Sequence, residues 1–162
     1  MWRGKFLDAE STWDDRFTPQ ALPLGQSVIK LSSGPAVALL KNLEQPWPKD
    51  GMQMRGYRLA KDGTPTLLYS HGTTKDTDTL TPKGKGMRQL IEFTGTKKDL
   101  WVRIATAKDF VNDKPGIWSN GSNLSIIAPT AQIRTSGEKS EIIAPIKFDN
   151  SGKASIEIDW HW

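Results

Sequence analysis

The strictest pattern in the sequence is its last one. From Ala154 through Ile156, Ile158, Trp160 and Trp162 every second residue is apolar, while Ser155, Glu157, Asp159 and His161 take the intervening positions. A period of two sends alternate side chains to opposite faces of a strand, so this run forms a strand with one buried face. Ile142, Ala144, Ile146 and Phe148 alternate in the same way, and Asp149-Asn150-Ser151-Gly152 separates the two runs with residues that tolerate positive φ or make side-chain turns. The pair reads as a hairpin. Helical periodicity is weak throughout. Only Pro35 to Leu43 suits a helical turn or two, opened by Pro35 and closed by Pro46 and Pro48.

Further β runs follow the same logic. Met54 to Leu59 and Thr66 to Ser70 flank Asp62-Gly63, a strong hairpin signal. Met87 to Phe93, with Gln89 as the polar exception on its apolar face, Leu100 to Ile104 and Leu124 to Ile127 are each bounded by turn residues, and Trp2 to Leu7 and Val28 to Leu31 are shorter candidates. Glu10 to Gln26 lacks periodicity and reads as an ordered loop. At 162 residues these strands suit one domain over 1–162. The fold class expected is all-β: an antiparallel β-sandwich, jelly-roll-like, with a closed barrel as the competing architecture.

Composition narrows the chemistry. There is no cysteine, which excludes disulfides, thiolate zinc sites, a cysteine nucleophile, type 1 copper and covalent c-type haem attachment within this chain. Lys and Arg number 22 against 18 Asp and Glu, and the nearest basic group, Lys83, Lys85, Arg88, Lys97 and Lys98, is spread over two strands and a turn, so no nucleic-acid partner is expected. The longest apolar run, Ala36 to Leu40, is too short to span a bilayer, and the N-terminus lacks the apolar core of a signal peptide. No membrane insertion is expected, and an export signal would lie outside this chain.

Trp2-Arg3-Gly4-Lys5-Phe6-Leu7-Asp8-Ala9, Thr12-Trp13-Asp14-Asp15-Arg16-Phe17, Pro23-Leu24-Gly25, and the later Arg55-Gly56-Tyr57-Arg58-Leu59 with Asp62-Gly63-Thr64-Pro65-Thr66-Leu67-Leu68-Tyr69 resemble a stretch of large exported bacterial proteins of the planctomycete type. The resemblance covers roughly the first half of the chain. It implies a β-rich internal module, periplasmic or extracellular, of a protein that also carries c-type cytochrome and sugar-dehydrogenase-like domains. No Cys-x-x-Cys-His motif is present, so any haem would belong to a neighbouring domain. The resemblance transfers no catalytic residue.

Seven tryptophans against two tyrosines raise the question of a stacking surface. Trp160 and Trp162 share the apolar face of the final strand and read as core. Trp101 lies on a strand that either covers or exposes it, and Trp2 and Trp47 read as packing or edge cover. Trp13 and Trp118 have polar neighbours suited to a ligand. Around the first, Trp13, Asp14, Asp15 and Arg16 would stack on a pyranose and hydrogen-bond its hydroxyls; the alternative is an Asp-capped turn with an Arg16 ion pair and Trp13 anchoring the loop. Around the second, Trp118 beside Ser119 and Asn120 suits carbohydrate or peptide recognition, or else turns inward over an Asn120-Gly121 turn.

Other chemistry is thinner. His71 and His161 lie far apart in sequence and make a poor metal site, and Asp76-Thr77-Asp78 reads as an acidic turn without the glycine and distal glutamate of a calcium loop. Ser70-His71 has no nucleophile elbow, and Pro82 to Gly86 reads as a hairpin turn rather than a phosphate loop. A glycosidase needs two facing carboxylates; Asp14 and Asp15 diverge in an extended chain, and Glu10, Asp76 and Asp78 are partners that nothing in the sequence selects. The expectation is a non-catalytic binding or interdomain-docking module. Its partner is carbohydrate or a neighbouring domain of the same polypeptide, a c-type haem domain among them, with Trp13, Asp14, Arg16, Trp118 and Asn120 as ligand-binding residues and no cofactor or metal. The competing reading is a polysaccharide-active hydrolase or lyase using scattered carboxylates.

Overall fold

The computed structural model describes residues 2–3, 26–27, 35–49, 51–96, 99–121 and 124–162. The chain divides into two compact units, Met1–Leu31 and Ser32–Trp162. In the first, β1 (Trp2–Arg3) pairs antiparallel with β2 (Gln26–Ser27). The second is an antiparallel β-sandwich of β3 (Val37–Leu39), β4 (Gln53–Leu59), β5 (Pro65–His71), β6 (Thr74–Lys83), β7 (Gly86–Thr94), β8 (Leu100–Ala107), β9 (Val111–Lys114), β10 (Ile117–Ser119), β11 (Ser125–Ile127), β12 (Gln132–Ser136), β13 (Lys139–Pro145) and β14 (Lys153–His161). One sheet has the order β4-β5-β6-β7-β14-β11-β10-β9 and the other β12-β13-β8-β3. The larger sheet ends in two different free strands, β4 and β9, and does not close into a barrel. Among the described residues no helix is long and apolar enough to cross a membrane.

The final strand behaves as its alternation requires. Ile156, Ile158 and Trp160 are buried, and β14 pairs along its whole length with β7 and at its C-terminal end with β11. Its neighbour is not the run expected. Ile142 and Ala144 lie on β13, in the smaller sheet, so Phe148 to Gly152 carries the chain from one sheet to the other instead of closing a hairpin. The turn itself forms: Asp149 Oδ1 accepts from the backbone N–H of Ser151 and Lys153 at 2.8 and 2.9 Å, and Gly152 has φ 73°. Sheet membership is settled beyond the turn. Ile146 N–H donates to Leu100 O at 2.8 Å, which keeps this run beside β8, while β14 pairs with β7 over its whole length and with β11 from Asp159 to His161.

The Asp62-Gly63 hairpin forms as the sequence predicts, with Gly63 at φ 84° and Thr64 N–H donating to Asp62 Oδ1 at 3.0 Å. The helical reading of Pro35 to Leu43 is corrected. Val37, Ala38 and Leu39 pair with Val102, Trp101 and Leu100 as β3, because strand pairing buries Val37, Ala38 and Leu40 together while a single helical turn would bury one face.

The smaller sheet is buried on both faces, and one of them is closed by Trp47. The indole packs with Ala38, Leu40 and Ile143, with Trp101 beside them, and its N–H donates to Pro35 O at 2.8 Å. The guanidinium carbons of Arg103 and Arg134 lie 4.8 and 5.3 Å from the ring centroid. Glu141 stands between the two arginines, accepting from Arg103 Nη1 at 3.0 Å and Arg134 Nε at 2.7 Å. Arg134 Nη1 also donates to Leu43 O and Gln45 O at 3.0 and 2.8 Å, which holds the loop that presents Trp47. Removing one member of such a buried triad strands the charges that remain, at a cost of about 3–5 kcal/mol. Glu141→Gln is therefore expected to lower the unfolding free energy by about 3 kcal/mol, and Arg134→Lys, which lacks the fork that reaches Glu141 and both carbonyls, to do so by a similar amount. Urea denaturation of the two variants checks this.

Candidate functional site

The register of the larger sheet sets two rows of side chains on its inward face. One runs Tyr57, Leu67, Asp78, Ile91, Ile156 across β4, β5, β6, β7 and β14; the other runs Met54, Tyr69, Asp76, Phe93, Ala154. Two carboxylates thus stand beside the core residues Ile91, Phe93 and Ile156 on this face. Asp76 is 4% exposed. Asp78 Oδ2 accepts from Gln89 Nε2 at 2.8 Å, and Gln89 Oε1 accepts from the Trp160 indole N–H at 3.1 Å, so Gln89 fills the apolar stripe of β7 as a bridge between β6 and β14. Asp76 Oδ1, Asp78 Oδ1 and Thr74 Oγ1 are buried with no hydrogen-bond partner.

Burial sets the titration of the pair. Desolvation pushes both carboxyls up to about 6, and at Asp76 the Asp78 charge adds to it; at Asp78 the Gln89 amide works the other way. The Tyr69 phenol, opposite Asp76, is raised by burial and by the two carboxylates. A carboxyl that is half protonated near neutrality can donate or accept a proton, which is how paired acids work in glycoside hydrolysis. Here Asp76 is 4% exposed and lies in the row of Phe93, so the pair is a titrating element of the core.

Where the rows reach β4 the burial ends. Met54, Tyr57 and Leu59 are 58, 65 and 62% exposed. They lie on the same face as Tyr69, Leu67 and Pro65, so the inward face of the sheet runs outward as an open apolar strip along its edge. On the opposite face of β4 stand Arg58, across from Thr66, and Arg55, whose Nε donates to Ser70 Oγ at 2.8 Å. Large apolar side chains that stay exposed side by side mark an interaction surface more often than scattered single ones do.

The residues singled out from the sequence do not gather here. Trp13, Asp14 and Arg16 lie outside the described residues. Trp118 lies on β10, opposite Ile126 and in line with Trp160, and is 6% exposed; of its two readings the structure shows the inward one, because β10 pairs on both sides and turns that indole to the interior. Its indole N–H has no hydrogen-bond partner. Asn120 is partly buried just beyond the strand. His71 and His161 belong to opposite faces of the larger sheet and do not converge. Asp76-Thr77-Asp78 is corrected from a turn to the middle of β6. Among the described residues no group of three or more His, Asp or Glu is placed to hold a metal ion.

The exposed strip on β4 and the carboxylates of β6 escape a sequence reading for different reasons. Met54, Tyr57 and Leu59 look like core because exposure depends on the strand lying at an edge. The two aspartates, poor strand formers, hide a run whose threonines at 73, 74, 77, 79 and 81 are the signal for β6. Comparison with family models, curated proteins and solved structures found no match.

A carboxyl whose folded-state pKa lies above its unfolded value near 3.8 binds its proton more tightly in the folded protein. Its contribution is complete below about pH 4 and is lost as pH rises through about 6. Stability is accordingly expected to fall between these limits. Asp76→Asn should flatten that fall and raise the unfolding free energy at pH 7 by about 1–3 kcal/mol while changing little at pH 4. Urea titrations across this range supply the test.

Proposed function

We propose that this chain is a non-catalytic docking module that receives a protein partner, such as a neighbouring domain of a larger exported polypeptide, on the free end of its larger sheet. The observation that carries the reading is the strip of Met54, Tyr57 and Leu59, exposed on one face of β4 with Arg55 and Arg58 beyond it. Tyrosine, methionine and arginine are the side chains enriched where proteins meet, and here they stand on one rigid strand. The resemblance of the first half of the chain to exported multidomain bacterial proteins supports the same reading and its extracytoplasmic setting.

Carbohydrate remains the small ligand of choice on a second observation. The Tyr57 ring is exposed on the sheet face, where it is free to stack on the apolar side of a pyranose. This reading transfers the stacking role from Trp118 to Tyr57.

Two measurements separate the readings. A photo-crosslinking phenylalanine at position 57, introduced in the source organism, is expected to give one discrete protein adduct. The adduct should disappear with Leu59→Asp and be absent when the probe is moved to position 114 on the opposite edge. Equal labelling from both positions, or none, would overturn the docking proposal. On a glycan array, binding lost in Tyr57→Ala and kept in Trp118→Phe would favour carbohydrate instead.

A further inference from the structure

Resting on the docking reading, we infer that β4 takes its partner by strand addition, and that the partner is an extended segment whose residues alternate between apolar and acidic. The free edges of the two sheets differ in what they offer. Strand β3 has three residues, and β9 has four, with the Asn112 amide turned back onto Lys114 O and Ile117 O. Strand β12 has five. Strand β4 has seven and, among the described residues, pairs on one side only, with β5. Its irregularity is confined to the stretch between Met54 and Gly56, where Gly56 at φ 132° absorbs the register shift. From Gly56 to Leu59 the pairing with Leu68 to Pro65 is one to one, so an incoming strand meets a regular ladder.

The side chains of β4 define the chemistry of that strand. In an antiparallel addition each new side chain lies beside one on β4 on the same face. Next to Met54, Tyr57 and Leu59 the new strand needs apolar residues, which continue the inward face of the sheet. Next to Arg55 and Arg58 it needs carboxylates. A second copy of β4 does not meet this requirement, because two-fold pairing sets the arginines of one copy against those of the other. The basic face thus opposes self-association through this edge and selects an acidic visitor, the attractive and repulsive halves of specificity on one strand.

The chain contains a segment of the required pattern, Ala154-Ser155-Ile156-Glu157-Ile158-Asp159-Trp160, paired in the fold with β7 along its length and with β11 at Asp159 and Trp160, and it serves as a free peptide probe. The acetylated, fluorescein-labelled peptide is expected to bind the intact 162-residue protein in a polarisation titration and to slow amide hydrogen exchange at Gly56 to Leu59. A version with Lys in place of Glu157 and Asp159 should bind about tenfold more weakly, and Arg55→Glu/Arg58→Glu should reverse that preference. Exchange protection elsewhere with none on β4, or equal binding of the two peptides, would sink strand addition. The position-57 adduct tests docking separately. An adduct whose complex leaves β4 amides unprotected keeps docking and rejects strand addition, whereas absence of both rejects the two together.

Discussion

The two-sided pairing of β14 is the constraint on which the rest of the sandwich depends. Strands β4 to β7 form one continuous meander, and β9 to β11 form another, and nothing else in the larger sheet joins them. One edge of β14 completes β7 over nine residue pairs, and its other edge takes β11 over three. Because Ile156, Ile158 and Trp160 are buried, a one-residue slip would send them to the outer face and bring Glu157 and Asp159 inward. On that outer face Asp159 is held by Arg88 and Lys83, and the Arg88 hydrogen bonds above all draw its carboxyl down to about 2. Apolar burial on one side and ion pairing on the other therefore agree on a single register.

This same strand explains why the interior of the larger sheet can hold polar groups at all. Gln89 on β7 and Asp78 on β6 would be isolated on an apolar face without the Trp160 indole to start the chain of donors. Asp76 has no such help and carries the unmet cost of burial, which is why its proton is held so tightly. The smaller sheet answers the same problem differently, by surrounding Glu141 with two arginines and roofing them with an indole. One sheet leaves its buried acids desolvated, with raised pKa values, and the other surrounds its acid with arginines.

Much of this was legible in the residues because period-two alternation and Gly-containing turns are local signals. The strands at Gln53–Leu59, Pro65–His71, Gly86–Thr94 and Lys153–His161 follow from them, as does the all-β class. Sheet membership is not local: Asp149-Asn150-Ser151-Gly152 builds a tight turn that joins different sheets, and the long-range pairing of the run before it with β8 and of the run after it with β7 decides it. The same limit applies to the site. Trp118 has polar neighbours in sequence and apolar ones in space, whereas Tyr57 sits in an ordinary strand pattern and is exposed because β4 is the last strand at that end of the sheet among the described residues. A side chain's neighbours along the chain say little about which edge of a sheet it will reach.

The place of β14 in the sequence also bears on biosynthesis. The edge of β7 that it covers carries Ile91 and Phe93 on one face, and that edge has no partner while the ribosome is still making β8 to β13. A nascent chain therefore holds two incomplete half-sheets until residue 161 has emerged, with an apolar edge open to any extended segment nearby. Long-range closure of this kind is slow, so a holding factor acting on the unfinished chain would matter more here than for a fold completed by neighbouring hairpins.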